Sequence, residues 1–218
     1  EESLRRTLKV IGPLDRITVY QNLIDVVCLA SSSAPLEQLV EEIKTLNLGE
    51  EARWSLVYEA GTRFYQNYPG KALGIFEELA QNATGTPQLA CLMTLGNIAW
   101  RVDKDIEAAV KWYERAEKLI PITDARAEIP AYRLGRLYLV QGHGLKGLEK
   151  LRLFTVRFPR SRYLAKAYVA MGDACVALFS PEKAERYYRR AARIAPLMAD
   201  DISKKLTDLD GQMTSQQW

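Results

Sequence analysis

The sequence is poor in the residues that most often carry chemistry. Its 218 residues include three cysteines and one histidine. Cys28, Cys91 and Cys175 lie far apart and follow no CxxC or Cys/His spacing, which argues against both a zinc site and a dense disulfide framework. We therefore interpret the three cysteines as small buried hydrophobic residues, and we expect no metal.

Catalytic motifs are also missing. The sequence has no Gly-rich phosphate loop, no nucleophile elbow and no HExxH. His143 stands in a Gln-Gly-His-Gly segment that is typical of a solvated turn, and no nucleophile and base can be paired around it. The chain is therefore predicted not to be an enzyme and to need no cofactor. An enzyme would have to draw its chemistry from His143 and an unrecognised cluster.

Long apolar runs are absent as well. No run approaches the roughly 18 consecutive apolar residues of a membrane span, and the best segment, from Leu23 to Ala30, contains Asp25. We expect no membrane span in this chain. Because the sequence begins at Glu1 rather than Met, anchoring by a missing N-terminal segment stays an open alternative.

The composition, by contrast, is that of a chain with a normal core, and its charge is unevenly placed. Hydrophobic residues make up 48% and charged residues 26%, with a net charge of +3. Residues 1–109 hold ten Lys or Arg against fifteen Asp or Glu, whereas residues 126–193 hold fifteen against five. This segregation favours an acidic or otherwise anionic partner for the C-terminal half.

A repeat is visible in the spacing of small residues. Glycines at 61, 96, 135 and 172 each lie within an apolar stripe, at intervals of 35, 39 and 37 residues. A period in this range is typical of stacked helical hairpins, because one hairpin cannot bury its own apolar face. Small residues let the two helices approach closely, and a proline ends the second helix. Ser180 is predicted to cap the second helix of the last hairpin with its hydroxyl.

These positions resemble the tetratricopeptide repeat (TPR) family, whose unit carries Leu-Gly, an aromatic residue, then Ala, an aromatic residue, Ala and Pro. The unit that ends at Pro196 matches best, and the unit that ends at Pro121 matches if the turn from Val102 to Glu107 holds one extra residue. The resemblance covers about residues 50 to 196. It implies an all-α, right-handed α-solenoid of about four TPR-like repeats.

The resemblance divides the chain into three parts. Residues 1–49 are expected to form an N-terminal helical pair, either a degenerate repeat or a cap. Residues 50–196 hold the repeats, and residues 197–218 hold a C-terminal capping helix and tail.

The segment RFPRSRYLAKAYVAMGD, residues 157–173, is the junction between two of these repeats. Its pattern is similar to repeats of bacterial envelope TPR proteins of the outer-membrane-assembly lipoprotein and Tol-Pal-associated types, on the following residues: Phe154, Phe158, Pro159, Ser161, Tyr163 and Ala167. This likeness implies a periplasmic or envelope-associated location. Unpaired cysteines favour a reducing compartment, so a cytoplasmic location is the alternative. The alternative function is a basic TPR-like sensory or nucleic-acid-binding domain of a larger cytoplasmic regulator.

In the TPR family, first-helix positions that are not used for packing line a concave groove that holds a peptide or partner segment. Carried over, these positions are Tyr58, Thr62, Tyr65, Asn97, Trp100, Arg101, Tyr132, Arg133, Arg136, Lys166, Val169 and Asp173. The resemblance thus implies a protein interaction scaffold, and the aromatic and basic character of the groove favours an acidic or apolar-aromatic partner segment. The family's carboxylate clamp is only partly matched, because Met93 and Thr62 stand where clamp residues are expected.

A second basic zone is expected on turns and second helices. It comprises Arg152, Arg157, Arg160, Arg162, Arg186, Arg189, Arg190 and Arg193. Three interpretations stay open: a solvated convex face, binding of nucleic acid or anionic lipid, and docking of an acidic protein. A protein or peptide partner is favoured over nucleic acid, and the oligomeric state is not specified.

Overall fold

Helices follow one another along the chain with short connections. The computed structural model describes residues 2–7, 12–29, 33–121 and 124–215, and no β-strand occurs among them. The α-helices are α1 (Glu2–Thr7), α2 (Pro13–Cys28), α3 (Ala34–Lys44), α4 (Glu50–Asn67), α5 (Pro69–Asn82), α6 (Gly85–Ile98), α7 (Ile106–Leu119), α8 (Glu128–Val140), α9 (Gly144–Arg157), α10 (Leu164–Ala177), α11 (Pro181–Ile194) and α12 (Ala199–Ser215). The all-α fold class predicted from the sequence is confirmed.

The chain divides into two units, which are described separately. Unit 1 is Glu1–Val102 and unit 2 is Asp103–Trp218. The division falls inside the second predicted repeat, because α6 belongs to unit 1 and α7 to unit 2.

Unit 1 is built on the hairpin of α4 and α5. The N-terminal pair α2 and α3 packs against α4, and α6 packs against both α4 and α5. Aliphatic and aromatic side chains fill the interior, with Leu23, Leu39, Phe64 and Phe76 each at most 2% exposed. The apolar stripes of these helices therefore meet in one core, as the helical spacing predicts.

Unit 2 contains two hairpins in succession, α8 with α9 and α10 with α11. Helix α9 also packs against α10, and α12 covers α11. The first hairpin is close enough that a Cβ at Gly147 would lie 2.9 Å from the carbonyl oxygen of Gly135. Gly147 therefore takes the place of the alanine in the repeat pattern because the backbones of α8 and α9 approach too closely for a side chain.

Two local features differ from the sequence prediction or refine it. The extra residue expected between Val102 and Glu107 is accommodated by a π-helical turn, Ala99–Asp103, followed by Lys104 with a φ of 60°. The predicted Ser180 hydroxyl cap is wrong, because Ser180 makes no side-chain cap. Its hydroxyl donates instead to the carbonyl of Leu178 at 3.4 Å.

Candidate functional site

A groove of about 380 Å³ lies between α8 and α10 in unit 2. On α10, Ala170, Ala174 and Ala177 form its floor, since their spacing puts them on one side of the helix. Leu139 and Leu178 add apolar walls. Small side chains on the floor leave room for an apolar side chain of a ligand.

The polar rim of this α8–α10 groove is formed by Arg136 and Asp173. Asp173 is exposed, and its carboxylate accepts hydrogen bonds from the Tyr188 hydroxyl at 2.7 Å and from Lys205 Nζ at 2.6 Å. Lys166 is exposed one turn before Ala170 on the same side of α10. Lys205 lies against Asp173, so the formal charges of Arg136, Asp173 and Lys205 sum to +1 at this rim.

Not every predicted groove residue of unit 2 faces solvent. Tyr132 is only 5% exposed, and its ring stacks on Tyr163 with centroids 4.8 Å apart. Arg133 is half-buried, and its Nη1 donates to the Tyr113 hydroxyl at 2.5 Å. Val169 is half-buried as well. Tyr132 therefore packs in the core instead of offering exposed contact area, while Arg133 links α8 to α7.

The predicted groove residues of unit 1 lie on α4, on α6 and in the π-helical turn. The Tyr58 hydroxyl is 2.9 Å from Thr94 Oγ1, which joins α4 to α6. The Thr62 hydroxyl donates to a carbonyl of its own helix, Glu59, at 2.7 Å. Tyr65, Asn97 and Trp100 are half-buried, and Arg101 is exposed. The structure thus brings α4 and α6 side by side in unit 1 as the repeat predicts.

Unit 1 also contains a larger groove, of about 700 Å³, that sequence reasoning missed. It lies over α3 and α5, with Val40, Phe64 and Ile75 at its base and a rim that alternates in charge. The rim is paired with itself: Lys44 Nζ is 2.6 Å from Glu78 and 2.7 Å from Glu41, and Lys71 pairs with Glu37. A ligand would have to replace these ion pairs, so the smaller α8–α10 groove is the better candidate site.

Some arginines of the predicted basic zone contact aromatic rings or a carboxylate, and the others are exposed to solvent. The Arg157 guanidinium lies 4.9 Å from the Phe158 ring, and Arg162 donates to the Tyr163 hydroxyl at 2.8 Å. Arg189 pairs with Glu185, and Arg190 lies over the Tyr168 ring at 5.9 Å. The other predicted members, Arg152, Arg160, Arg186 and Arg193, are exposed.

The residue types that carry catalysis or bind metals are scattered. Within the described parts of the chain, no group of three or more His, Cys, Asp or Glu side chains could hold a metal ion. His143 is exposed and lies in the turn between α8 and α9, as predicted. Cys91 and Cys175 are buried free thiols, and Cys28 is partly buried. Over the same described ranges, no helix has the length and apolar character needed to cross a membrane.

The comparisons with known proteins agree with this architecture. Residues 165–196, which form α10 and α11, match the tetratricopeptide repeat family. No curated protein sequence matches the chain.

Among solved structures, the chain is similar to YrrB, described as a TPR protein with an unusual peptide-binding site. The identity is 21%, with 85% of this chain and 91% of that chain covered and a TM-score of 0.59. It is also similar to BtubC from P. vanneervenii, at 16% identity, 91% and 87% coverage and a TM-score of 0.65. The chain is also similar to a Signal Transduction ATPase with Numerous Domains (STAND) protein with a tetratricopeptide repeat sensor, from Pyrococcus horikoshii. The identity between the two chains is 17%, with a TM-score of 0.67. That match covers 96% of this chain but only 35% of the larger protein.

Proposed function

We propose that this chain is a non-catalytic interaction scaffold of the TPR type and that the α8–α10 groove binds a peptide segment of a partner protein. The observation that carries the proposal is the combination of an alanine floor with Arg136 at the rim. Lys166 is exposed one turn before Ala170 on the same helix and adds a second cation near the groove. Such a groove accepts one apolar side chain and orients a carboxylate next to it, since an arginine donates two parallel hydrogen bonds to a carboxylate.

The chemistry of the preferred segment follows from these contacts. The groove volume of about 380 Å³ is enough for an aliphatic or aromatic anchor but not for a folded domain. Asp173 is already bonded to Tyr188 and Lys205, so its charge is not available to attract a basic ligand. We therefore infer that the segment carries an apolar residue beside Asp or Glu, or ends in a free carboxylate near that residue.

A peptide-display selection with the purified chain tests this proposal, followed by fluorescence anisotropy of the selected peptides. Wild type is expected to enrich sequences with an apolar residue next to acidic residues. Ala170→Trp fills the floor and Arg136→Glu reverses the rim, so each is expected to weaken binding at least about tenfold. Lys204→Glu is the matched charge control, because Lys204 is exposed on α12 and does not line the groove.

Peptides that bind Ala170→Trp and wild type equally would rule out the groove. The same would follow from selected peptides without acidic residues whose affinity is insensitive to Arg136→Glu. Circular dichroism on each variant separates loss of binding from loss of fold. Replacement of Tyr132 is avoided in this series because that side chain is part of the core.

The cellular location is proposed from the junction motif alone. The Phe154 to Ala167 pattern resembles envelope TPR proteins, and we propose an envelope-associated or periplasmic site of action. Fractionation of the source cells, with protease added to intact spheroplasts, tests it. Degradation of the protein in spheroplasts supports the proposal, whereas protection until lysis favours a cytoplasmic regulator.

A further inference from the structure

The outward side of unit 2 presents an arginine-rich helix beside a helix with exposed aliphatic side chains. On α9, the buried residues Gly147, Leu151 and Phe154 occupy one side. The opposite side carries Leu145, Leu153 and Val156, which are 76%, 53% and 76% exposed. Side chains of this size are normally covered when they recur along one side of a helix.

Helix α11 also has one buried side and one exposed side, but its exposed side is basic instead of apolar. Ala184, Tyr188 and Ala191 are buried. The side opposite to them carries four exposed arginines, as the helical spacing requires: Arg186, Arg189, Arg190 and Arg193. Arg152 adds an exposed guanidinium on α9.

Helices α9 and α11 both pack against α10, and we take the two stripes that turn away from this packing as one surface. Tyr187 of α11 packs against the core cluster that contains Leu151 and Phe154 of α9. In return, Leu148 of α9 packs against the cluster that contains Ala184 and Tyr188. We call this surface the outer face and define it by the following residues: Leu145, Arg152, Leu153, Val156, Arg186, Arg189, Arg190 and Arg193. The buried stripes named above turn inward, so the outer face is separate from the side chains that line the α8–α10 groove.

We propose that the outer face binds the surface of an anionic lipid membrane. Arginines match lipid phosphates because a guanidinium donates two hydrogen bonds to one phosphate, and each cation near an anionic membrane adds to the attraction. The aliphatic side chains gain by leaving water at the boundary between headgroups and acyl chains. Glu149 and Glu182 are exposed acids on the same helices, and Glu185 pairs with Arg189, so the five arginines of the outer face stand against three carboxylates.

The apolar stripe distinguishes a membrane from nucleic acid. A phosphodiester backbone would use the arginines but would leave Leu145, Leu153 and Val156 in water. Proteins that bind single-stranded nucleic acid pair their cations with exposed aromatic rings, whereas both tyrosines of α11 are at least partly buried. Neither helix contains the Asn or Gln that pair with adenine.

Co-sedimentation with vesicles tests the proposal. The probes are vesicles of phosphatidylcholine alone and of equal parts phosphatidylcholine and phosphatidylglycerol. Wild type is expected to sediment with the anionic vesicles only. Leu153→Ser/Val156→Ser is expected to lower that partitioning about tenfold without changing the net charge. Arg186→Glu/Arg193→Glu is expected to abolish it.

Matched controls come from exposed residues outside the outer face. Phe179, 84% exposed in the turn before α11, is replaced by Ser to remove a similar apolar area, and Lys204→Glu reverses one charge on α12. Both controls are expected to sediment like wild type. Circular dichroism of each variant confirms that the fold is retained.

Three results would overturn the proposal. Wild type could stay in solution with anionic vesicles, which would leave an acidic protein as the partner of the outer face. Leu153→Ser/Val156→Ser could sediment like wild type, which would reduce the interaction to charge alone. Tight binding of a duplex oligonucleotide that displaces the vesicles and ignores the aliphatic replacement would assign the face to nucleic acid.

Discussion

The two units hold their positive charges in different ways. Unit 1 has nine Lys or Arg against twelve Asp or Glu, and unit 2 has twenty-one against fifteen. In unit 1, cations pair with carboxylates on neighbouring helices: Arg5 lies 2.8 Å from Glu42, and Lys44 lies 2.6 Å from Glu78. These pairs join α1 to α3 and α3 to α5.

Unit 2 holds several of its cations over aromatic rings. The Arg162 guanidinium lies 4.9 Å from the centre of the Tyr163 ring, and the Arg133 guanidinium lies 5.5 Å from the centre of the Tyr113 ring. A ring holds the alkyl stem and the charge without neutralising it. Unit 2 has ion pairs as well, such as Lys150 with Glu117 at 2.6 Å, but it keeps an excess of cations that can act on a ligand, whereas unit 1 has an excess of carboxylates.

The largest expected effect is on the free energy of unfolding, and it compares how tightly the two helices pack in one hairpin of each unit. A Cβ at Gly172 would lie 2.4 Å, 2.6 Å and 2.9 Å from three ring carbons of Tyr188, which is 3% exposed. A Cβ at Gly61 would meet mainly one edge carbon of Phe76, at 2.8 Å. We expect Gly172→Ala to lower the free energy of unfolding by about 3 kcal/mol and Gly61→Ala by about half of that. Urea denaturation followed by circular dichroism measures both.

Gly74→Ala is the matched control for these two variants. Gly74 is exposed within α5, and a Cβ there would meet nothing within 4 Å. It is expected to stabilise unit 1 by roughly 0.5 to 1 kcal/mol, because alanine favours the helix over glycine. Equal midpoints for Gly172→Ala and Gly74→Ala would refute the close packing of α10 and α11.

The positions of these glycines were predictable because close helix approach depends on spacing within one hairpin. The same spacing predicted the helices, the C-terminal capping helix and the turn that holds His143. The prediction was less successful where a side chain depends on a neighbouring element. Tyr132 was assigned to the groove from the pattern of its own helix, but Tyr163, from the start of the next repeat, covers its ring.

The repeat pattern also did not predict local details of the backbone. Ser180 follows Phe179, which has a φ of 53°, and the Ser180 hydroxyl donates to the carbonyl of Leu178 instead of capping the helix start. The groove over α3 and α5 depends on how two hairpins stack, which the pattern within one hairpin does not predict. Gly74 lines this groove and has no side chain to fill it, and it is the one residue in the sequence that indicates the groove. The envelope location and the identity of the partner stay predictions.

The second effect is the pH dependence of the stability that Glu42 contributes to unit 1. Burial raises the pKa of Glu42, but hydrogen bonds from Tyr20 at 2.6 Å and Arg5 at 2.8 Å outweigh it, so the folded-state pKa is lowered from its ordinary value of 4.5. The stabilisation is thus present above about pH 4.5 and is lost as the pH falls through the folded-state pKa. At pH 7, Glu42→Gln should cost about 1 kcal/mol, since the carboxylate is one-third exposed and partly screened.

Urea denaturation of wild type and Glu42→Gln at pH 7 and at pH 3 checks this prediction. The difference between the two proteins should shrink from pH 7 to pH 3, because the wild-type carboxyl gains a proton as the pH falls through its lowered pKa. Glu77→Gln, at an exposed position on α5, is the control and should change little at either pH. An undiminished difference at pH 3 would show that Glu42 acts by shape and not by charge.

The smallest effect is the response of single arginines to salt. Arg133 donates to the Tyr113 hydroxyl and lies over its ring in unit 2, whereas Arg63 lies 3.3 Å from Asp25 in unit 1, with both of those side chains about half exposed. We expect Arg133→Met to cost about 1 kcal/mol at any salt concentration. Arg63→Met should cost about 0.3 kcal/mol in low salt and nothing measurable in about 1 M salt, since exposed ion pairs are weak and screened.

Thermal unfolding of both variants in low and high salt checks this prediction, with Arg133→Lys as the control that keeps the charge but loses the planar stack. If Arg133→Met proved as sensitive to salt as Arg63→Met, Arg133 would be held by charge, as Arg63 is in unit 1. The contrast between the units would then be one of net charge only.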